Sequence, residues 1–329
     1  MKRVNETNDG GRTVAGVDIG GTKVRFVIRS RCVTIYSHVV PYVAASNAEF
    51  LRLIVSGLED LKVLAFKRGL TLDAIGMGCA GMVDRKRGVL RFSPNMTGIC
   101  EIGLVRAVED ATGSPAFLEN DVKCALFAEW TEGAATGARN VVMLSIGTGI
   151  GGALILNNRF YVGHHGYAGE IGHIPVVQRG CLCGCGKRGC LETVASGTAI
   201  ERYVRESLDR GAASVMMREE ALDAQHIAAF AQSGDRLAAR AFRRAAQYLG
   251  RVVTILVDTL DLDMIVLGGG VAKSGLLLDE MKQYAAAHSL SLLFEGVAFA
   301  EARFQNDAGA LGAALLAEKQ LEGCSIYEV

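Results

Sequence analysis

Between Gly169 and Glu192 the chain reads Gly-Glu-Ile-Gly-His, a short spacer, and then Cys-Leu-Cys-Gly-Cys-Gly-Lys-Arg-Gly-Cys-Leu-Glu. Thiolates and an imidazole at this density suit a tetrahedral zinc site. His173 with Cys183, Cys185 and Cys190 gives a closed Cys3His set without an open position, so the metal would be structural. Cys181 is a spare thiol that could exchange with Cys183. The bland alternative, a set of free thiols, would be a liability at this density. Glu170 and Glu192 flank the cluster, and a metal-pinned loop would hold both carboxylates toward a polar ligand. His164 and His165, further upstream, read as ordinary surface residues.

Two glycine-rich tips form a second kind of site. Gly20-Gly21-Thr22 lies between short strands at Val14–Asp18 and Val24–Arg29. Gly147-Thr148-Gly149-Ile150-Gly151-Gly152 lies between Asn140–Ile146 and Ala153–Leu156. The stretch from Val17 to Thr22 aligns with Leu144 to Gly149, which indicates a repeated hairpin. Backbone N–H groups without side chains in the way can cradle phosphate oxygens. Thr148 could add a hydroxyl. Asp18 is placed to hold Mg²⁺ through water, and Lys23 could reach a phosphate. A tight hairpin turn accounts for either tip alone, but two matched tips favour phosphate binding. Gly268-Gly269-Gly270 follows an apolar strand and would let a planar ring approach, or simply close helix packing. Asn120-Asp121 stands where a strand gives way to a helix. Both types are favoured N-caps; the functional alternative is a general base that takes an alcohol's proton.

The elements that must position these groups alternate between strands and helices. Asn47–Gly69 carries Phe50, Leu51, Ile54, Leu58 and Leu61 at helical spacing. Leu72–Gly78 and Pro115–Glu119 read as strands, and Asn120-Asp121 opens a helix toward Trp130. Ser196 could cap a helix to Arg210, and Asp223–Asp258 reads as two helices broken near Ser233-Gly234-Asp235. Met264–Leu267 and Val297–Phe299 read as strands, and Asn306-Asp307 caps an alanine-rich helix to about Gln320. This is α/β architecture in two similar lobes.

The 329 residues carry equal numbers of acids and bases. That balance favours neither a nucleic-acid nor a membrane partner. A zinc ribbon for nucleic acid would want two separated knuckles and a basic surface. No apolar run is long enough for a bilayer span. The polar first residues lack a signal peptide's apolar core, and the cysteine spacing does not suggest disulfides, so a reducing cytoplasm is expected.

Taken in order, Asp18-x-Gly20-Gly21-Thr22, Glu119-Asn120-Asp121, Gly147-Thr148-Gly149-x-Gly151-Gly152, Gly169-Glu170-x-Gly172-His173 and Cys183-x-Cys185-Gly186-x-x-Gly189-Cys190-x-Glu192 resemble the ROK family (repressors, open reading frames and sugar kinases) from about Val14 to Ala317. The resemblance implies a duplicated actin-like, ribonuclease-H-like fold with two lobes around a cleft and an inserted zinc loop over 170–192. Residues 1–11 are polar and read as a disordered tail, and the resemblance implies an N-terminal lobe over 12–125 with a final helix 308–322 packed back on it, and a C-terminal lobe over 126–307. It implies an ATP-dependent kinase acting on a hexose, with the 6-hydroxyl as the usual acceptor, and a homodimer.

Carried over by motif, Asp121 is the base. Gly81, Asn95, Asn120, Glu170, His173 and Glu192 contact the sugar, and His173 also binds zinc. Asp18, Gly20, Gly21, Thr22, Gly147, Thr148 and Gly149 face the phosphates and Mg²⁺, and Gly269 and Gly270 the adenosine. The family's regulators carry a DNA-binding domain before the repeat and tend to lose the first tip. The dozen polar residues before Val14 and the intact tip point to a kinase rather than a sugar-responsive regulator or sensor. Glucose or allose is the expected substrate, with N-acetylmannosamine or fructose as alternatives.

Overall fold

The fold was obtained as a computed structural model that describes residues 11–44, 46–93, 96, 98–219, 222–323 and 326–327. Asn95 and Cys324 lie outside the described residues. The chain forms two compact units, Met1–Ala128 with Gly309–Ser325, and Glu129–Ala308 with Ile326–Val329.

The first unit contains strands β1 (Thr13–Ile19), β2 (Lys23–Ser30) and β3 (Val33–Pro41), helix α1 (Asn47–Lys67), β4 (Ala74–Cys79), β5 (Met82–Asp84), β6 (Val89–Phe92), β7 (Cys100–Gly103), α2 (Leu104–Thr112) and β8 (Ala116–Asn120), and it starts α3 (Asp121–Glu132). Five strands form one sheet in the order β3-β2-β1-β4-β8. β1, β2 and β3 are antiparallel neighbours, whereas β1, β4 and β8 run parallel. β5, β6 and β7 make a separate small sheet. α1 begins where Ser46 Oγ accepts from the Glu49 N–H. Phe50, Ile54, Leu58 and Leu61 recur every three or four residues, so one face of α1 is buried against the core.

The second unit contains β9 (Val141–Ile146), β10 (Ile150–Leu156), β11 (Arg159–Phe160), α4 (Glu192–Ala195), α5 (Gly197–Asp209), α6 (Ala224–Gln232), α7 (Arg236–Leu260), β12 (Met264–Gly268), α8 (Leu278–His288), α9 (Ser291–Phe294) and β13 (Ala298–Glu301). Its sheet order is β11-β10-β9-β12-β13. β9 is antiparallel to β10 and parallel to β12, and β12 is parallel to β13. The sequence of strand directions therefore repeats that of the first unit's main sheet. The break between α6 and α7 is a cap: Asp235 Oδ1 accepts from Leu237 and Ala238 N–H groups, both at 2.9 Å. α7 packs its apolar face, from Leu237 through Val257, into the core.

Helix α10 (Ala308–Leu321) completes the first unit. It lies on glycines of the sheet. A Cβ on Gly16 would collide with the Ala310 carbonyl, and one on Gly76 with the Ala313 carbonyl. Among the described residues no helix is long and apolar enough to cross a membrane.

Candidate active site

In the first unit the parallel register brings the chemistry to one sheet edge. Asp18 pairs with Gly78, Gly78 with Glu119, and Cys79 with Asn120. Asp18, Gly81, Asn120 and Asp121 thus cluster at the carboxyl ends of β1, β4 and β8, the edge where open α/β sheets bind ligands. The Asp18 carboxylate occupies the space of a missing side chain. A Cβ on Gly309, in the first turn of α10, would lie 2.6 Å from its Cγ. Burial, and then the charge of Asp121, push the Asp18 carboxyl from 3.8 up to about 7.

Asn120 is the cap of α3. Its Oδ1 accepts from the N–H groups of Val122 at 3.0 Å and Lys123 at 3.2 Å, while its Nδ2 donates to the Gly81 carbonyl at 3.2 Å. The cap is therefore made by Asn120, and Asp121 is the first residue of the helix, where the helix dipole favours a carboxylate. Gly81 has a φ of +121°, and a Cβ there would collide with the Phe92 carbonyl, so only glycine fits. Behind this edge Lys123 and Glu119 form a buried ion pair at 3.7 Å. Cys79 and Cys124 are both buried, and burial raises both thiols well above their usual value, so neither is a thiolate nucleophile.

The first tip is a tight turn: the Gly20 N–H donates to the Lys23 carbonyl at 3.0 Å. Tyr42 holds it from outside. Its hydroxyl donates to the Gly20 carbonyl at 2.7 Å, and its N–H to the Thr22 carbonyl at 2.9 Å. Gly21 and Thr22 complete the turn, and Lys23 is exposed at the start of β2.

In the second unit, His173, Cys183, Cys185 and Cys190 place one ligand atom each within 4.8 Å of one another. Cys185 and Cys190 sulfurs are 3.7 Å apart, and Cys183 Sγ is 3.6 Å from His173 Nδ1. With Zn–S near 2.3 Å and Zn–N near 2.05 Å, a tetrahedron requires edges of about 3.8 and about 3.6 Å. The donor set therefore fits zinc. Burial pushes the Cys190 thiol up to about 12 and also raises Cys183, whereas the Lys187 N–H lowers Cys185. A divalent ion would hold all three as thiolates. Cys181 is exposed and lies outside this group. His173 Nε2 is 3.8 Å from Glu170 Oε2, so the carboxylate stands near the ring nitrogen that faces away from Cys183.

The segment itself is short turns. Ile171–His173 is one turn of 3-10 helix, and isolated bridges join Pro175 to Cys190 and Leu182 to Arg188.

The second tip closes through Gly147 N–H to the Gly149 carbonyl at 2.9 Å, and Thr148 sits at its apex. Glu192 faces this tip: its Oε2 accepts from the Ile150 N–H at 2.9 Å. Gly269, with φ of +90°, lies against the Ile146 backbone, and Gly270 follows it. Gly269 lines a small cavity with Lys273, Glu301 and Gln305.

The sequence signals missed Tyr42, Lys123 and Gly309. Tyr42 and Gly309 act across the fold, and nothing local marks either; Lys123 stands at i+4 from Glu119, a spacing that could have suggested the pair.

The ROK family model matches residues 14–320. The glucokinase of Streptomyces coelicolor is 34% identical over 314 residues, 92% of this chain and 97% of that protein. The N-acetylmannosamine kinase of Citrobacter koseri is 31% identical over 310 residues, 92% and 97% respectively. Among solved structures, the ROK family glucokinase from Streptomyces griseus in complex with glucose and AMPPNP is 31% identical with a TM-score of 0.81, covering 93% of this chain and 99% of that one. A ROK family transcriptional regulator, a homologue of the E. coli MLC protein, is 26% identical with a TM-score of 0.88, covering 96% and 80%.

Proposed function

The chain belongs to the ROK family, and on that premise we propose that it transfers a phosphoryl group from ATP to a hexose hydroxyl, with Asp121 as the general base. The observation that carries this reading is the shared edge of β1, β4 and β8, where Asp18, Gly81, Asn120 and Asp121 lie together.

Phosphoryl transfer asks for positioning and charge neutralisation more than covalent chemistry. The Asp121 carboxylate, at the head of α3, takes the proton as the sugar oxygen attacks. Asp18 would hold Mg²⁺, which neutralises phosphate charge when bound; the cation also returns Asp18 to its ionised form. Gly20, Gly21, Thr22 and Lys23 in the first unit, and Gly147, Thr148 and Gly149 in the second, would take phosphate oxygens. Gly269 and Gly270 would take the adenosine.

Zinc would sit on His173, Cys183, Cys185 and Cys190. In the second unit the Glu170 and Glu192 carboxylates would accept from sugar hydroxyls and His173 would contact the sugar; in the first unit Asn120 would do so, and Asn95 is proposed on the motif alone. Rigid paired acceptors discriminate between epimers, because a misplaced hydroxyl leaves buried polar groups unpaired. The like strand orders of the two sheets support the duplicated actin-like architecture. The free thiols among the described residues suit a reducing cytoplasm. A homodimer is the assembly we propose.

Glucose or allose is the proposed substrate and position 6 the proposed acceptor. A screen for ADP release from ATP and Mg²⁺ over a panel of hexoses, with N-acetylmannosamine and fructose included, tests this. Turnover with one hexose supports it. Tight sugar binding without ADP release from any sugar would favour the second reading, a sugar-responsive regulator, which the likeness to the ROK regulator brings forward.

A further inference from the structure

Glu192 stands where the metal cluster and the second glycine tip meet. Its Oε2 accepts from the Ile150 N–H at 2.9 Å, and its Oε1 lies 3.7 Å from Cys183 Sγ. Gly149 leaves room for it, because a Cβ there would collide with Oε2. Cys190, one of the four donors, is only two residues before Glu192 in the chain. Glu192 also begins α4, and the next helix starts on the same tip. The Gly197 N–H donates to the Gly147 carbonyl at 2.8 Å, and Thr198 Oγ1 to the Thr148 carbonyl at 3.0 Å. Three hydrogen bonds between the short segment Glu192–Thr198 and the tip thus restrain it. The tip is glycine-rich and loses much conformational freedom when ordered, so such restraints favour its binding form.

We propose that Glu192 is a positioning residue that transmits occupancy of the His173, Cys183, Cys185 and Cys190 site to the Gly147–Gly152 tip, so that the metal sets nucleotide affinity as well as sugar affinity. This rests on the kinase reading, in which that tip takes phosphates. Metal bound at Cys190 fixes the backbone entering α4. That fixes the Glu192 carboxylate, and the carboxylate fixes the Ile150 N–H. Without metal the carboxylate stays attached to a loose loop and no longer holds the tip.

The test is the affinity for a fluorescent, non-hydrolysable ATP analogue with Mg²⁺ and without sugar. It is measured on wild type, Glu192→Ala and Glu192→Gln, each with zinc and after stripping by a chelator, with metal content assayed. Hydrogen bonds to charged groups set the scale at about tenfold. Stripping wild type should weaken binding about tenfold. Zinc-loaded Glu192→Ala should be weaker by a similar factor and lose nothing more on stripping. Glu192→Gln, whose amide oxygen can still accept from Ile150, should recover most of the loss. Amide hydrogen exchange at Ile150 should quicken in both weakened forms.

An unchanged affinity in Glu192→Ala would overturn the proposal. So would two losses that multiply, or loss of zinc from Glu192→Ala, which would place Glu192 upstream of the metal. Failure of zinc-loaded wild type to bind the analogue would instead remove the kinase reading and the coupling with it. Binding that ignores both Glu192 and the metal would remove the coupling alone.

Discussion

Replacing Asp18 with Asn should stabilise the protein at pH 8 and leave it unchanged near pH 4. Burial, and next the Asp121 charge, raise the Asp18 carboxyl from 3.8 to about 7. Between those values the folded state keeps a proton that the unfolded chain has lost. The stability tied to that proton is fully present below pH ~4, declines as pH rises, and is gone above about 7. Roughly 3 pH units at 1.36 kcal/mol each set a ceiling of about 4 kcal/mol. Asp18 is only half-buried by surface area, so solvent screening reduces this to about 2 kcal/mol.

Asp18→Asn carries no such penalty. Its advantage over wild type should therefore grow from near zero at pH 4 to about 2 kcal/mol at pH 8, some 4–8 °C in Tm by the scaling for domains of this size. Thermal denaturation of both proteins in steps of one pH unit, without Mg²⁺, measures it. Saturating Mg²⁺ should shrink the difference by favouring the carboxylate. A difference that is flat with pH, or an Asn variant less stable than wild type at pH 8, would refute the placement of Asp18 as a half-buried acid that feels the Asp121 charge.

Protein purified without chelator should contain one zinc per chain by metal analysis; none would remove the Cys3His assignment. Cys185→Ser should lower hexose affinity by loosening Glu170 and Glu192; lost zinc with unchanged sugar binding would break that link. Gly309→Ala would set a methyl 2.6 Å from the Asp18 Cγ, so the KM for Mg·ATP should rise while the fold persists, as circular dichroism and kinetics can check. Tyr42→Phe removes the hydrogen bond to the Gly20 carbonyl and should weaken nucleotide binding by roughly 2–12-fold, from the usual net worth of such a bond.

The parts that were legible in the sequence are those governed by local rules. α1 follows from the spacing of Phe50, Ile54, Leu58 and Leu61, and the break before α7 follows from Asp235; the Ser46 cap of α1 emerged only in the structure. The spacing around Cys183, Cys185 and Cys190 named the side chains that the fold gathers with His173. β5, β6 and β7 escaped notice because strands of three or four residues carry too little alternation. β3, at a sheet edge, is half-exposed without a clean alternation.

Long-range contacts were invisible for a different reason. Glu192 meets Ile150 across 42 residues of chain, and Gly309 meets Asp18 from the opposite end of the sequence. Nothing local distinguishes Gly309 from the other small residues of α10. Asn120-Asp121 shows the ambiguity of short motifs. Capping and catalysis both want these residue types, and the fold divides the work: Asn120 makes the cap and leaves Asp121 as the candidate base.

The most direct measurement is transfer of label from γ-phosphate-labelled ATP to glucose and allose by wild type and by Asp121→Asn. Wild type should yield labelled sugar phosphate. The variant should fold normally and bind sugar, with turnover lower by about 10²–10⁴, the usual worth of a general base. Label transfer at near-normal rate by Asp121→Asn, or none to any hexose by wild type, would contradict the account.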